Sequence, residues 1–426
     1  MKKKDYTLKV ENIIKQDNSK MFMGIKIEND DIKIFVPSTF RKSNNEKERN
    51  KDILLYLRSI SVFSKQYEKI NKNKEDLEGT VWPIDSYLWI IHDFIENGFY
   101  YNRELIYSNS NQGKIDWRKT LKNKPIVSKN NLIYTDFVTK KMSNVNDEIS
   151  NIYRICISLS LKRIGWLFNY SFEVPFVQTK SIKEMLVIMN QALSSTFDDI
   201  KRKRFTHMLN IIKNVDNENI KTINNTFGIY NYDYVFERMV DSFFNGISAN
   251  EIEKYYPHGS WHLLPNVENS RKSSMLREDT IYNDNINKKT YIIDAKMYKY
   301  GGLEQINYPS EGLPETTSIQ KQITYGDYVS TEVDEVRGYK VRNAFILPFN
   351  KEIERFKNNN CLEYLDKDHN LAYIGYSVGD WRQNKNDYDY LFTFLLDLNY
   401  LIRNYQNDNK KYIEKLMKSI EIHLKK

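Results

Sequence analysis

The chain has 426 residues, with 64 Lys and Arg against 56 Asp and Glu and a formal net charge of +8. A hydrophobic fraction of 40% and an aromatic fraction of 14% exclude a disordered polyelectrolyte, and the length suits roughly two or three domains. Two cysteines, Cys156 and Cys361, exclude a disulfide framework and a thiolate zinc site. No apolar run reaches the ~20 residues of a membrane helix, and none follows the opening Met-Lys-Lys-Lys-Asp-Tyr as a secretion signal would. The chain therefore reads as a soluble, cytoplasmic protein with no membrane partner.

In chain order, Met21–Ile27 and Asp31–Val36 read as two strands joined by the turn Glu28-Asn29-Asp30. Asp52–Ile70 carries apolar residues at helical spacing, and a polar break follows at Asn71–Gly79. Pro83–Asn97 reads as a helix stopped by Gly98 at its C′ position. Tyr100–Ser143 reads as short strands and loops around the compact string Gly113-Lys114-Ile115-Asp116-Trp117-Arg118-Lys119-Thr120. Val145–Val215 is predominantly helical and contains the basic run Lys201-Arg202-Lys203-Arg204. The Asn-rich stretch Asp216–Asn225 reads as a connector. Beyond it come a helix at Asp233–Phe244, strands at Met275–Tyr282 and Thr290–Met297, and a helix at Thr316–Tyr328. Strands at Asn343–Leu347 and Leu371–Tyr376 and a long helix at Tyr388–Tyr405 complete the series. This order predicts an α+β or α/β fold with three parts. They are a β-rich region over 1–143, a helical connector over 144–225, and a domain over 226–426 with a mixed central sheet flanked by helices.

One constellation points to chemistry. Asp279, in the strand before the Asn283–Lys289 turn, precedes Asp294-Ala295-Lys296 in the strand after it. Side chains at i and i+2 share a strand face, so Asp294 and Lys296 project together with Ile292 beneath them, and the paired strand brings Asp279 alongside. Two carboxylates suit Mg²⁺, which takes oxygen ligands and keeps several waters. A bound metal acidifies water and neutralises charge on a phosphate, and Lys296 would orient that water or stabilise the transition state. The tripeptide alone is uninformative, since Asp31-Ile32-Lys33, Asp199-Ile200-Lys201 and Asp408-Asn409-Lys410 repeat it. A solvated hairpin with a salt bridge is the competing reading. Glu237 lies on the flank of an apolar stripe of Phe236, Met239, Val240 and Phe243, from which it would reach the metal or simply face solvent. Lys321 and Gln322, on the helix from Thr316, would contact a nucleic-acid backbone or support the site. His258 and His262 are four apart, but Pro257 and Gly259 argue against one helix face for a zinc pair, and Lys201–Arg204 reads as readily as a solvated face as a phosphate site. No Gly-x4-Gly-Lys-Ser/Thr loop is present.

Asp279 with Asp294-Ala295-Lys296 resembles the PD-(D/E)xK nuclease motif, and the chain as a whole resembles the LlaJI-type restriction endonucleases, relatives of the McrC nuclease subunit. The landmarks are Phe22–Phe40, Trp89–Tyr100 with Asp93, the Gly113–Thr120 string, Glu237 in Phe-Glu-Arg-Met, Gly259-Ser260-Trp261, Lys321-Gln322-x-x-Tyr325 and Asn343–Pro348. Where the motif has Pro, this chain has Glu278, which leaves either Glu278 or Asp279 as the first ligand. The resemblance implies an Mg²⁺-dependent restriction endonuclease that defends against foreign double-stranded DNA and works with an McrB-like AAA+ GTPase. In it, Asp279, Asp294 and Glu237 would hold metal, Lys296 would be catalytic, and the N-terminal part would dock on the motor. Two copies of the chain would serve double-strand cleavage. A stand-alone type II endonuclease and a non-catalytic DNA-binding or scaffold protein on a nuclease fold are the alternatives.

Overall fold

The computed structural model describes residues 7–10, 21–28, 31–70, 83–109, 114–129, 131–145, 147–168, 174–215, 225–264, 270–357 and 361–425. The first elements are β1 (Thr7–Val10), β2 (Met23–Glu28), β3 (Asp31–Val36) and α1 (Glu46–Ile70). There follow α2 (Ile84–Asn97), β4 (Asn102–Asn109), β5 (Lys114–Ile115), α3 (Trp117–Thr120), β6 (Ile126–Ser128) and β7 (Asn131–Ile133). Then come β8 (Val138–Val145), α4 (Glu148–Ile164), α5 (Ile182–Ser195) and α6 (Asp199–Lys213). The remainder begins with β9 (Asn225–Ile229), α7 (Tyr232–Phe243), α8 (Ala249–Ile252), β10 (His258–His262), β11 (Ser270–Met275), β12 (Thr280–Asp284) and β13 (Lys289–Ala295). It ends with α9 (Thr316–Glu332), β14 (Lys340–Phe349), α10 (Glu354–Lys357), β15 (Glu363–Tyr364), β16 (Leu371–Ser377), β17 (Leu391–Asp397), α11 (Leu398–Asn404) and α12 (Lys410–Leu424). The connector Asp216–Asn225 lies outside the described residues except for Asn225, as do the polar break Asn71–Gly79 and Gly113. Among the described residues, no helix is long and apolar enough to cross a membrane.

The chain forms two compact units, residues 3–81 with 224–426, and residues 1–2 with 82–223. This differs from the grouping of 1–143 as one region, and the reason is strand pairing. β9 zips antiparallel onto β2, with Ile25 opposite Phe227, so the sheet runs β1-β3-β2-β9. Gly24 (φ +148°) makes this approach possible: a Cβ there would lie 2.1 Å from the Phe227 carbonyl oxygen. α1 packs against α7 and α11. Asp52, buried on α1, accepts from Asn399 Nδ2 at 3.0 Å and is also bonded by Arg403. The described residues of β2, β3 and α1 are thus built into the same body as the Asp294 strand.

That body is organised by a six-stranded sheet in the order β12-β13-β14-β17-β16-β15. β13, β14 and β17 run parallel, and the outer pairs are antiparallel. β17 (Leu-Phe-Thr-Phe-Leu-Leu-Asp) is buried along its whole length. The sequence pattern predicts a helix across Tyr388–Tyr405, and the structure instead places this strand and then the short helix α11 there. A short apolar run has no periodicity to separate a helix from a strand covered on both faces, and the sheet centre decides for strand. α9 lies on one face, where Tyr325 and Val329 join Ile281 and Ile292 in one core, and Ile323 packs on Phe345 and Leu391 in another. The mixed central sheet flanked by helices expected for the C-terminal part is present.

In the other unit, α2, α4 and α6 pack together beside the small sheet β4-β8-β5 and the hairpin β6-β7. Gly98 ends α2 with φ +71°, its N–H bonding the Phe94 carbonyl at 2.9 Å, as its place in the sequence predicts. Asp93 is buried and accepts from Arg204 Nε and Nη2, both at 2.7 Å, and from the Tyr153 hydroxyl at 2.7 Å. Burial would raise the Asp93 carboxyl, yet Arg204 and Tyr153 outweigh it and hold it below its usual range. Arg204, in the run Lys201–Arg204, therefore faces inward as a structural partner. Asp93→Ala would leave a guanidinium buried and unpaired, and chemical denaturation should show a loss of ~3–5 kcal/mol.

Candidate active site

β12 and β13 form the predicted hairpin, with Thr280 opposite Ile293. Residues 276–279 precede β12 as irregular chain, whereas the pattern predicts one strand across Met275–Tyr282. One register step beyond the ladder sets Asp279 opposite Asp294, and the side chain of Asp279 closes the end by accepting from the Ala295 N–H at 2.8 Å. Lys296 follows β13, and its N–H bonds the Ile346 carbonyl of β14 at 2.9 Å. Its Nζ lies 2.7 Å from Asp294 Oδ1 and 3.6 Å from Asp279 Oδ2. Asp279, Asp294 and Lys296 therefore converge at the C-terminal end of a strand, on the face where Ile292 is buried beneath them.

Glu237 joins this group electrostatically from α7, whose apolar stripe is buried as expected. Burial, and then the charge of Asp279, pushes its carboxyl up to about 9, against the pull of Lys296. Asp294 is raised well above the usual carboxylate range by burial and by Asp279. Burial works to lower the Lys296 ammonium, but Asp279 and Asp294 outweigh it and the net shift is upward. Glu278 is 1% exposed, and among the described residues no other residue donates a hydrogen bond to either carboxyl oxygen. Burial, and behind it Asp279 and Asp294, pushes Glu278 up to about 9. Three carboxyl groups, Glu237, Asp279 and Asp294, thus share the field of one lysine, and burial with mutual repulsion opposes ionisation of Glu237 and Asp294 where positive charge is short.

That shortage is what a divalent cation would make good. Among the described residues, no group of three or more His, Cys, Asp or Glu side chains is disposed to hold an ion unaided. The donor set suits Mg²⁺ better than Zn²⁺, since Mg²⁺ is held by one or two carboxylates and keeps its remaining waters.

The supporting residues include several that the sequence pattern does not single out. Arg238, next to Glu237, donates Nη2 to the Asp279 carbonyl at 3.3 Å. The Tyr325 hydroxyl donates to the Arg277 carbonyl at 3.0 Å, which fixes the chain entering Asp279. Gln322 is fully buried and donates Nε2 to the Ile292 carbonyl at 3.1 Å, so it braces β13 and offers no surface to nucleic acid. Lys321, one residue before it, is exposed. Asn343, buried in the middle of β14, donates Nδ2 to the carbonyls of Gln322 at 2.9 Å and Tyr388 at 2.7 Å. An Asn inside an otherwise apolar central strand is the available signal for that brace, because a buried amide needs partners. His258 and His262 lie on β10 and are exposed.

A family model described as LlaJI restriction endonuclease matches residues 22–374. No curated protein matches the chain. Among solved structures, the chain is similar to one in an assembly of Thermococcus gammatolerans McrB AAA+ hexamers with bound McrC. The identity is 12% and the TM-score 0.34, over 92% of this chain and 82% of that one.

Proposed function

We propose, from the premise that the chain belongs to the LlaJI restriction endonuclease family, that it is an Mg²⁺-dependent DNA endonuclease of a phage-defence restriction system. The observation that carries this reading is the convergence of Asp279, Asp294 and Lys296 at one strand end, in the order of a PD-(D/E)xK motif. Asp279 and Asp294 would hold the ion, with Glu237 as a further ligand. When bound, the cation would acidify a coordinated water and neutralise charge on the scissile phosphate. Lys296 is flanked by carboxylates that favour its charged form, so it serves as a hydrogen-bond donor and a fixed positive charge, not as a proton acceptor. It would orient the attacking water or offset the charge that grows on the phosphate. Asp279 would also hold the strand end, through its bond from the Ala295 N–H.

The AAA+ GTPase partner is part of the same proposal. The chain has no phosphate-binding loop, so energy from nucleotide hydrolysis would have to come from another protein. The unit of residues 82–223 offers a surface for it: Ile126, Val127, Leu132 and Ile133 of the β6–β7 hairpin are all exposed. Apolar residues uncovered on both strands of a hairpin mark an interaction site. Val127→Asp with Leu132→Asp should leave the melting temperature unchanged and abolish co-elution with an McrB-like AAA+ GTPase. Unchanged co-elution would remove the hairpin from the interface. The whole reading is tested with purified chain, duplex DNA and Mg²⁺, with and without the GTPase and GTP. Cutting that needs all of them supports it, and cutting by the chain with Mg²⁺ alone would show that no motor is required.

A further inference from the structure

Just before the Asp279 segment, the chain forms a ribbon of two antiparallel strands, β10 and β11, with Ser260 opposite Lys272, Trp261 opposite Arg271 and His262 opposite Ser270. All five residues of β10 are exposed, so neither face of that strand is covered. Trp261 is 62% exposed, an uncommon state for an indole. The two strands read His-Gly-Ser-Trp-His and Ser-Arg-Lys-Ser-Ser-Met: they contain Arg271 and Lys272, two histidines and four serines, and no acid.

The base of this ribbon is fixed to the candidate site. The Leu276 N–H closes it by bonding the Pro257 carbonyl at 3.1 Å. Met275 and Leu276 pack against the core that contains Ile281, Ile292 and Tyr325. Tyr325 also holds the Arg277 carbonyl. Three residues, Leu276, Arg277 and Glu278, separate the end of β11 from Asp279. A load on the ribbon is therefore registered against the strand that carries the carboxylates.

We propose that the β10–β11 ribbon is the element by which the nuclease unit grips duplex DNA, entering the major groove beside the strand to be cut. The proposal rests on the endonuclease reading above. The dimensions agree: five strand residues span about 17 Å at ~3.3 Å each, and the major groove, about 12 Å wide and 8.5 Å deep, admits a two-stranded ribbon. The chemistry agrees as well. Arg271 and Lys272 would neutralise phosphates, while the serines, histidines and the indole N–H supply short donors and acceptors for base edges. A protein partner would be expected to meet aliphatic side chains along the ribbon; its paired residues have none apart from Met275 at the base, and the exposed Leu263 and Leu264 lie beyond the end of β10.

The test uses the full chain and a fluorescent duplex, with Ca²⁺ in place of Mg²⁺ to prevent cutting, and anisotropy read across a salt series. Arg271→Ala with Lys272→Ala should weaken binding and reduce the slope of log affinity against log salt by about two. Trp261→Ala should weaken binding about tenfold with the slope unchanged, as loss of an uncharged contact requires. Equal melting temperatures for the variants and the parent exclude unfolding as the cause. Parental affinity and slope in the double variant would overturn the proposal, and so would a parent chain that binds no duplex. Asp294→Ala separates this from the catalytic reading: it should still bind duplex, with the parental salt slope, and fail to cut. Cutting by that variant would sink the endonuclease site while leaving the ribbon's grip measurable.

Discussion

Asp294→Ala should lower Mg²⁺-dependent cleavage of duplex DNA by at least about a thousandfold, the scale expected when a metal-centred electrostatic arrangement is lost. Asp294 touches both halves of the proposed chemistry. Its Oδ1 lies 2.7 Å from Lys296 Nζ, and burial together with Asp279 opposes its ionisation until positive charge arrives. Removing it leaves Lys296 with Asp279 at 3.6 Å, and one of the three proposed ligands is gone. Stability should move little or rise, because a buried carboxyl whose charged form is disfavoured is removed and β13 keeps its ladder to β12 and β14. Asp294→Asn separates charge from shape: it fills the same volume without the negative charge and should be equally inactive. Retention of a tenth of parental cleavage by either variant, in protein that melts normally, would take Asp294 out of the site.

The sequence was legible at this site and much less so around it. Asp279 and the Asp294–Lys296 pair could be found because strand alternation is a strict two-residue rule and both strands are bounded by a turn-rich link. Gln322 could not be assigned: the same helical position serves a surface contact or a buried brace, and only the packing of α9 on the sheet selects the brace. The organisation of residues 3–81 was hidden for a different reason. β9 pairs with β2 across about two hundred residues, and no local pattern records a strand's distant partner. The β17 strand was concealed by its own burial, since a uniformly apolar segment lacks the alternation that identifies a half-exposed strand.

Glu278 provides the second large effect, on stability. It stands where the motif has Pro, it is buried with no hydrogen bond to its carboxyl oxygens from another of the described residues, and its carboxyl is pushed up to about 9. An unfolded Glu titrates near 4.3. Between those two values the folded chain holds a proton that the unfolded chain releases, so the contribution of Glu278 to stability is fully present below about pH 4 and is lost as pH rises towards 9. The slope is on the order of 1 kcal/mol per pH unit. Glu237 and Asp294 are raised as well and act in the same direction. Melting in chelator should therefore show stability falling from pH 5 to pH 8. Glu278→Gln keeps the size and polarity of the protonated acid but cannot ionise, so it should make that fall shallower by one group's share and stabilise the chain at pH 8 by a few kcal/mol. A parallel pH dependence in the variant would mean that Glu278 is already ionised in the fold. Cleavage by the same variant decides a separate matter. Asp279, not Glu278, faces Lys296, so Glu278→Gln should cut within about tenfold of the parent while Asp279→Asn does not. Loss of cutting in the Gln variant, with Asp279→Asn active, would move the metal-holding role one residue upstream.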